Sequence, residues 1–151
     1  MKVDILTQSG AGRRVRPSEL QIAAQRMLRA LKLPRAELSI LLCTDTEIHA
    51  LNKNFRHKNK PTDVLAFANR EGEDGHLAGD HLGDVVISVE TAARQAKEHG
   101  VLLKTEAITL LAHGLLHLCG WDHRTDEEDS LMRAETDRLV LHAIRGDRKR
   151  P

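Results

Sequence analysis

Three imidazoles fall within the eleven residues HGLLHLCGWDH, at His113, His117 and His123. On a helix, positions i and i+4 share a face with Cβ atoms roughly 5–6 Å apart. His113 and His117 can then converge on one ion at about 2.0–2.1 Å per zinc–nitrogen bond. Gly120 can take the left-handed backbone that ends a helix, so the chain can turn and bring His123 back as a third ligand. Three neutral ligands leave one coordination position open for water, the pattern of a catalytic rather than a structural metal site. A lone His on an apolar helix is ordinarily a core or edge residue. Three at this spacing, around a Gly at the helix end, are hard to reach by chance, and metal ligation is the expected role.

The spacing equals the His-x-x-x-His-x-x-Gly-x-x-His skeleton of metzincin proteases, with one difference. Those enzymes carry a general-base Glu directly after the first His, where this chain has Gly114. The metal cage is present and the peptidase base is missing.

The elements that must position these residues follow from patterning. Residues 2–7 read as a strand, and SELQIAAQRMLRALK as an amphipathic helix opened by Ser18 and Gln21 in capping-box spacing. The run 37–43 reads as a buried strand. Thr44 and Glu47 form a second capping box, opening a helix to about Phe55. RHKNKP is a loop ended by Pro61, and 62–68 and 81–89 are strands. Between them, 69–80 carries three Gly and many charges, as an exposed connection would. A short helix runs from Glu90 to His99 and ends at Gly100. The apolar run from Lys104 is a buried helix with the His pair beside its apolar stripe, and Thr125 with Glu128 caps a last helix to about Ile144. The order βαβαββααα predicts an α/β (α+β-like) fold. It is a single layer of about four mixed strands with about five helices packed on it, the metal site lying between the two C-terminal helices.

A chain of 151 residues is expected to form one domain, 1–151, with 145–151 as a frayed tail. No apolar run approaches the ~20 residues of a membrane span, and MKVDILTQSG lacks a signal-peptide core. Cys43 and Cys119 make no disulfide framework, which fits a reduced, cytoplasmic setting. Cys119 lies roughly 200° around the helix from His117 and is expected to be a small buried residue facing away from the metal. The formal net charge is only +1. Basic residues nevertheless cluster in RRVR, in KNFRHKNK and in the tail RGDRKRP, and acidic ones in EGEDG and DEED. Each cluster alone reads as a solvated face. With Phe55, Phe67, Trp121 and no Tyr, aromatics are few, which argues against a platform for stacking single-stranded bases.

Read together, these residues resemble the YbeY family, bacterial metal-dependent endoribonucleases of ribosomal RNA maturation. HGLLHLCGWDH is similar to the family signature. LNKNFRHKNKPTDVLAFA (51–68) is similar to its Arg-containing segment and following strand, HLGDVVIS (81–88) to its Leu-Gly-Asp strand, and EEDSLMRAE to its downstream Glu, Met, Glu pattern. The likeness spans most of 45–140 and is weak over the first 40 residues. AFAN (66–69) departs where the family shows Ser and Pro, and Trp121 stands where it often has Tyr. The resemblance implies that His113, His117 and His123 bind the metal and that Arg56 serves the substrate. It also implies single-stranded or ribosomal RNA as the partner, near the small-subunit 3′ end, with small-subunit proteins and an assembly GTPase nearby and no membrane.

Chemistry agrees. One divalent ion among three neutral imidazoles keeps its full charge and draws the pKa of a bound water toward roughly 7. Imidazole suits zinc, nickel, copper and iron, and zinc is the default for an open three-His site. An anionic phosphodiester needs a fixed cation as well, and a guanidinium such as Arg56 matches phosphate oxygens bidentately. Lys53, Lys58 and Lys60 would position the backbone without reading sequence. Asp122, beside His123, would orient a ligand imidazole from behind, with a helix cap as its alternative role. The general base stays open, between an activated water and the RNA 2′-hydroxyl as nucleophile, and neither Asp63 nor Asp84 is assigned to catalysis. A metal-dependent, single-strand-directed endoribonuclease is thus the leading function. A ribosome-assembly factor with a purely structural metal is the alternative, and a small metallopeptidase, disfavoured by Gly114, the third.

Overall fold

Successive residues of a strand point to opposite faces, and the apolar runs near 40 and 85 use both. In a computed structural model, which describes residues 1–69 and 80–146, these runs are β2 (Glu37–Cys43) and β4 (His81–Ser88), the middle of a four-stranded sheet. β1 (Lys2–Thr7) and β3 (Val64–Ala68) form its edges, in the order β1-β2-β4-β3. β1, β2 and β4 run parallel, whereas β3 is antiparallel to β4. Five helices accompany the sheet among the described residues: α1 (Pro17–Ala30), α2 (Asp45–Arg56), α3 (Val89–His99), α4 (Leu103–Leu118) and α5 (Asp126–Arg145). The mixed four-stranded layer and the helices expected from patterning are therefore present. The Gly-rich connection with its EGEDG run, and the basic tail beyond Gly146, lie outside the described residues.

The two faces are covered unequally. Leu38, Ile40, Leu42, Val85 and Ile87 join the main core with side chains from α1, α4 and α5. On the opposite face Cys43, Leu65 and Val86 pack against Ile48 and Leu51 of α2. Burial pushes the Cys43 thiol up to about 12, which removes it as a nucleophile at neutral pH. No single helix among the described residues is long and apolar enough to cross a membrane.

Several boundaries move for local reasons. Ser18 does not cap α1: Pro17 occupies its first turn, Arg16 is the N-cap without a side-chain bond, and Gln21 Nε2 instead donates to Val3 O at 2.9 Å. Proline's fixed φ starts the helix there, and its missing N–H is one a helix end leaves unpaired anyway. Thr44 and Thr125 do cap α2 and α5, accepting from the N–H of Glu47 and Glu128. The reciprocal arms go elsewhere: Thr44 N–H donates to Gln8 Oε1, and the Glu128 carboxylate takes the N–H of Arg124. β3 begins at Val64 rather than 62, because Asp63 Oδ1 takes the Val64 N–H at 2.8 Å and holds Thr62–Asp63 in a turn. β4 ends at Ser88, whose hydroxyl caps α3. α5 continues through Arg145, and Arg26 Nη1 donates to Ala143 O near its end at 2.7 Å.

α4 is buried on most sides, with Ala107, Ile108, Leu111, Ala112, Leu115 and Leu116 all in the core. It lies close against the sheet at Gly114. A Cβ there would lie 2.7 Å and 3.2 Å from the Val85 methyls and 3.3 Å from a Val64 methyl. β-Branched side chains on a sheet have little rotamer freedom with which to yield. Gly114→Ala is therefore expected to lower stability by about 1–3 kcal/mol despite its better helix propensity. The readout is the urea midpoint of the metal-free protein at constant m-value. An unmoved midpoint would mean that the helix has slack to lift off the sheet.

Candidate metal centre

The last two turns of α4 carry His113 and His117 one above the other, both half-buried. Their Nε2 atoms face each other at 3.1 Å. After Leu118 the helix closes: Gly120 N–H donates to His117 O and Trp121 N–H to Leu116 O, both at 3.0 Å. Gly120 has φ 94°, a value that favours glycine. The turn brings His123 back, its ring centroid 5.7 Å from that of His113 and 5.3 Å from that of His117. One nitrogen from each of the three rings lies within 4.8 Å of the others. Tetrahedral ligation at normal bond lengths separates ligand nitrogens by about 3.4 Å, so small rotations of His123, which is exposed, close the set. Because the helix stops at Leu118, Cys119 falls in the turn and is exposed rather than buried as expected.

Electrostatics prepare these rings to donate lone pairs. Burial, reinforced by the neighbouring imidazole, holds His113 below its ordinary value, and burial with His123 does the same for His117. Both rings are therefore neutral at pH 7, the form a metal needs. Asp63 and Asp129 pull His113 the other way. These two carboxylates line a smaller hollow of about 350 Å³ that His113 shares.

The triad opens onto a cleft of about 650 Å³ between the end of α4, the loop 57–63 and β3. Arg56, Lys58 and Lys60 line it, whereas Lys53, exposed on α2, does not. Arg56 starts from the far face of the sheet. Its guanidinium reaches over β3, donates to Ala66 O and sits 5.1 Å above the Phe67 ring centroid. Its charge adds to the forces holding His117 neutral, so cation and imidazole address the same space. Asp122 takes the backbone N–H of His123 at 2.8 Å and Arg124 Nε at 2.7 Å. Those contacts hold its carboxyl below the usual range. Asp122 thus steadies His123 through the main chain.

One contributor, Asn52, escaped the sequence reading, and Asp63 and Gly114 take places that patterning did not give them. Asn52 is buried, accepts the N–H groups of His57 and Lys58 on its carbonyl, and donates from Nδ2 to Lys60 O at 2.9 Å. It fixes the loop that carries the cleft lysines. Its signal was a polar residue four places after Ile48, on an otherwise apolar stripe. Asp63 borders both the cleft and the hollow, anchored by Val64 N–H and by Gln95 Nε2 at 3.2 Å. Gly114 lines the cleft floor and faces the sheet, so no side chain at that position could project toward the metal.

Comparison with known proteins gives a consistent picture. The family model described as Endoribonuclease YbeY matches residues 8–143. Endoribonuclease YbeY of Syntrophotalea carbinolica is 44% identical over 124 residues, 82% of this chain and 83% of its own. That of Aquifex aeolicus is 43% identical over 132 residues, 87% of this chain and 86% of its own. A solution structure of a Thermotoga maritima protein superposes with a TM-score of 0.65 at 22% identity, covering 93% of this chain and 88% of that one, and shares its fold.

The directions of the histidine shifts are measurable. In a proton NMR titration of the metal-free protein, His113 and His117 are expected to titrate below the ordinary 6.5. His99, hydrogen-bonded to the Glu106 carboxylate at 3.0 Å, is expected to titrate above it. The sign for stability follows. The unfolded chain takes up protons at His113 and His117 first, so their contribution is complete above pH 6.5 and falls as pH drops toward the lowered values. Titration of all three rings together near 6.5 would contradict the packing described.

Proposed function

The chain belongs to the YbeY endoribonuclease family, and from that premise we propose that it cleaves single-stranded RNA at a divalent metal held by His113, His117 and His123. The observation that carries this reading is the convergence of three ring nitrogens within 4.8 Å in a cleft that Arg56, Lys58 and Lys60 also line. Zinc suits the donor set best, since a neutral three-imidazole cage with an open side is its usual catalytic arrangement. When bound, the ion supplies Lewis acidity and lowers the pKa of a coordinated water.

The chain's own groups do the rest. Neutral His113 and His117 hold the ion without cancelling its charge. Arg56 meets the non-bridging phosphate oxygens, where negative charge builds whether water or a 2′-hydroxyl attacks. Lys58 and Lys60, on the loop tied down by Asn52, draw the backbone into the cleft without reading bases. Asp122 keeps His123 in place through its N–H. Lys53 lies outside the cleft wall, on the approach to it.

Ribosomal RNA near the small-subunit 3′ end is the proposed substrate. The setting is cytoplasmic, with small-subunit proteins and an assembly GTPase as neighbours. A peptidase role is disfavoured by Gly114, because a carboxylate there would need the volume of Val85 and Val64. The assembly-factor alternative separates by experiment.

The test compares cleavage of a labelled single-stranded RNA, and metal content, for the wild type, His117→Ala and Arg56→Ala. His117→Ala is expected to lose both metal and cleavage. Arg56→Ala should keep its metal and lose roughly 10²-fold or more in rate, the scale of removing one charge-stabilising donor. Equal cleavage by wild type and His117→Ala would end the metal-centred reading. Full metal loading with no hydrolysis by the wild type would favour the assembly factor.

A further inference from the structure

The sequence offers only three aromatic residues, Phe55, Phe67 and Trp121, and their number argued against base stacking. The fold changes that conclusion by bringing two of them together. Phe55 closes the last turn of α2 and Phe67 belongs to β3, yet their ring centroids lie 5.7 Å apart at 71°. Phe67 is anchored in the small core beneath α2, and Phe55 rests on it with 63% of its surface exposed. Arg56 lies over the same Phe67 ring and continues to Ala66 O at the cleft wall. The three side chains form one ledge, aromatic outside and cationic where it meets the cleft.

A single exposed apolar residue needs no explanation. The surroundings set Phe55 apart. Leu131, Leu141 and Ile144 are also exposed, but on a helix whose first turn holds four acidic residues. Leu6 is exposed on the β1 edge. Around Phe55 the run 53–60 carries Lys53, Arg56, Lys58 and Lys60 and no carboxylate. A flat apolar surface flanked along α2 and the following loop by this run of cations suits a ligand that is flat on one side and anionic on the other. An unpaired nucleotide has that shape: its base has a π-face and its phosphate a fixed charge.

We propose that Phe55, braced by Phe67, is a stacking site for one unpaired nucleobase whose neighbouring phosphate is held by Arg56 at the metal cleft. The proposal rests on the RNA-cleaving reading of that cleft and extends it past the reacting phosphate. The strand runs from the triad, over β3 at Ala66, onto the outer side of the sheet. Lys53, which the cleft does not use, stands three residues before Arg56 on the same helix and meets the next phosphate. A base still paired in a duplex keeps its faces stacked on its neighbours and cannot offer one to Phe55, so the ledge selects single strands irrespective of base identity.

The test measures binding of a fluorescein-labelled, single-stranded 2′-O-methyl oligoribonucleotide to the metal-loaded protein by anisotropy. An abasic unit is walked through the probe one position at a time. With wild type, one position is expected to show a roughly tenfold or larger loss of affinity when its base is removed, the scale of one base–aromatic stack. Phe55→Leu should bind the intact probe as weakly as wild type binds that abasic probe, and should lose nothing further from base removal. Phe55→Trp should restore the sensitivity. The ledge is ruled out if Phe55→Leu binds the intact probe like wild type, or if it weakens intact and abasic probes equally. Those results, with cleavage by wild type retained, would leave the cleft reading standing. A wild type that neither binds nor cuts RNA would overturn both.

Discussion

A helix can lie against a sheet only as closely as its smallest facing residue allows, and α4 meets the sheet at a residue with no side chain. At Gly114 the backbone comes so near Val85 that even a methyl group would collide. That contact sets the depth and rotation of α4, and with them the height of His113 and His117 above the cleft floor. The position after the first His of the triad faces Val85 and Val64, so any side chain there would have to displace their methyl groups. The fixed positive charge that borders the cleft comes instead from the end of a helix on the far side of the sheet.

The resulting electrostatic layout is asymmetric. Cations gather on the wall made by the end of α2 and the loop behind it. Carboxylates gather behind His113, where Asp63 and Asp129 border the smaller hollow. Between them the imidazoles are kept neutral by burial and by one another. A net charge of +1 conceals this separation entirely. The local gradient across the cleft, rather than the total, is what an anionic substrate would meet.

What could be read from the chain was local. The His spacing, the turn at Gly120 and the caps at Thr44 and Thr125 each depend on a few neighbouring residues, and each stands in the structure. The errors were local rules overruled by nearby competitors: Pro17 displaced the Ser18 cap, and an early helix end exposed Cys119. What escaped depends on strand order. Arg56 can reach the side of the His cluster, and Phe55 can meet Phe67, because β3 is an edge strand among the described residues, beside β4 and next to the end of α2. Nothing in the spacing of 55, 56, 66 and 67 announces that arrangement. Asn52 was hidden for a related reason, since its partners lie in an irregular loop whose path periodicity does not describe.

Among the described residues β3 is an edge strand, and such an edge can present unpaired main-chain groups to strands from other molecules. Along β3 the Phe67 carbonyl points inward, toward Gly83, and since carbonyls alternate along a strand the Ala66 carbonyl points outward. That outward oxygen is the one Arg56 occupies. An intruding strand would have to displace a charged group from its hydrogen bond and from its seat on an aromatic ring before it could add to the sheet. The guanidinium proposed to meet phosphate thus also stands where a strand would have to dock on this edge.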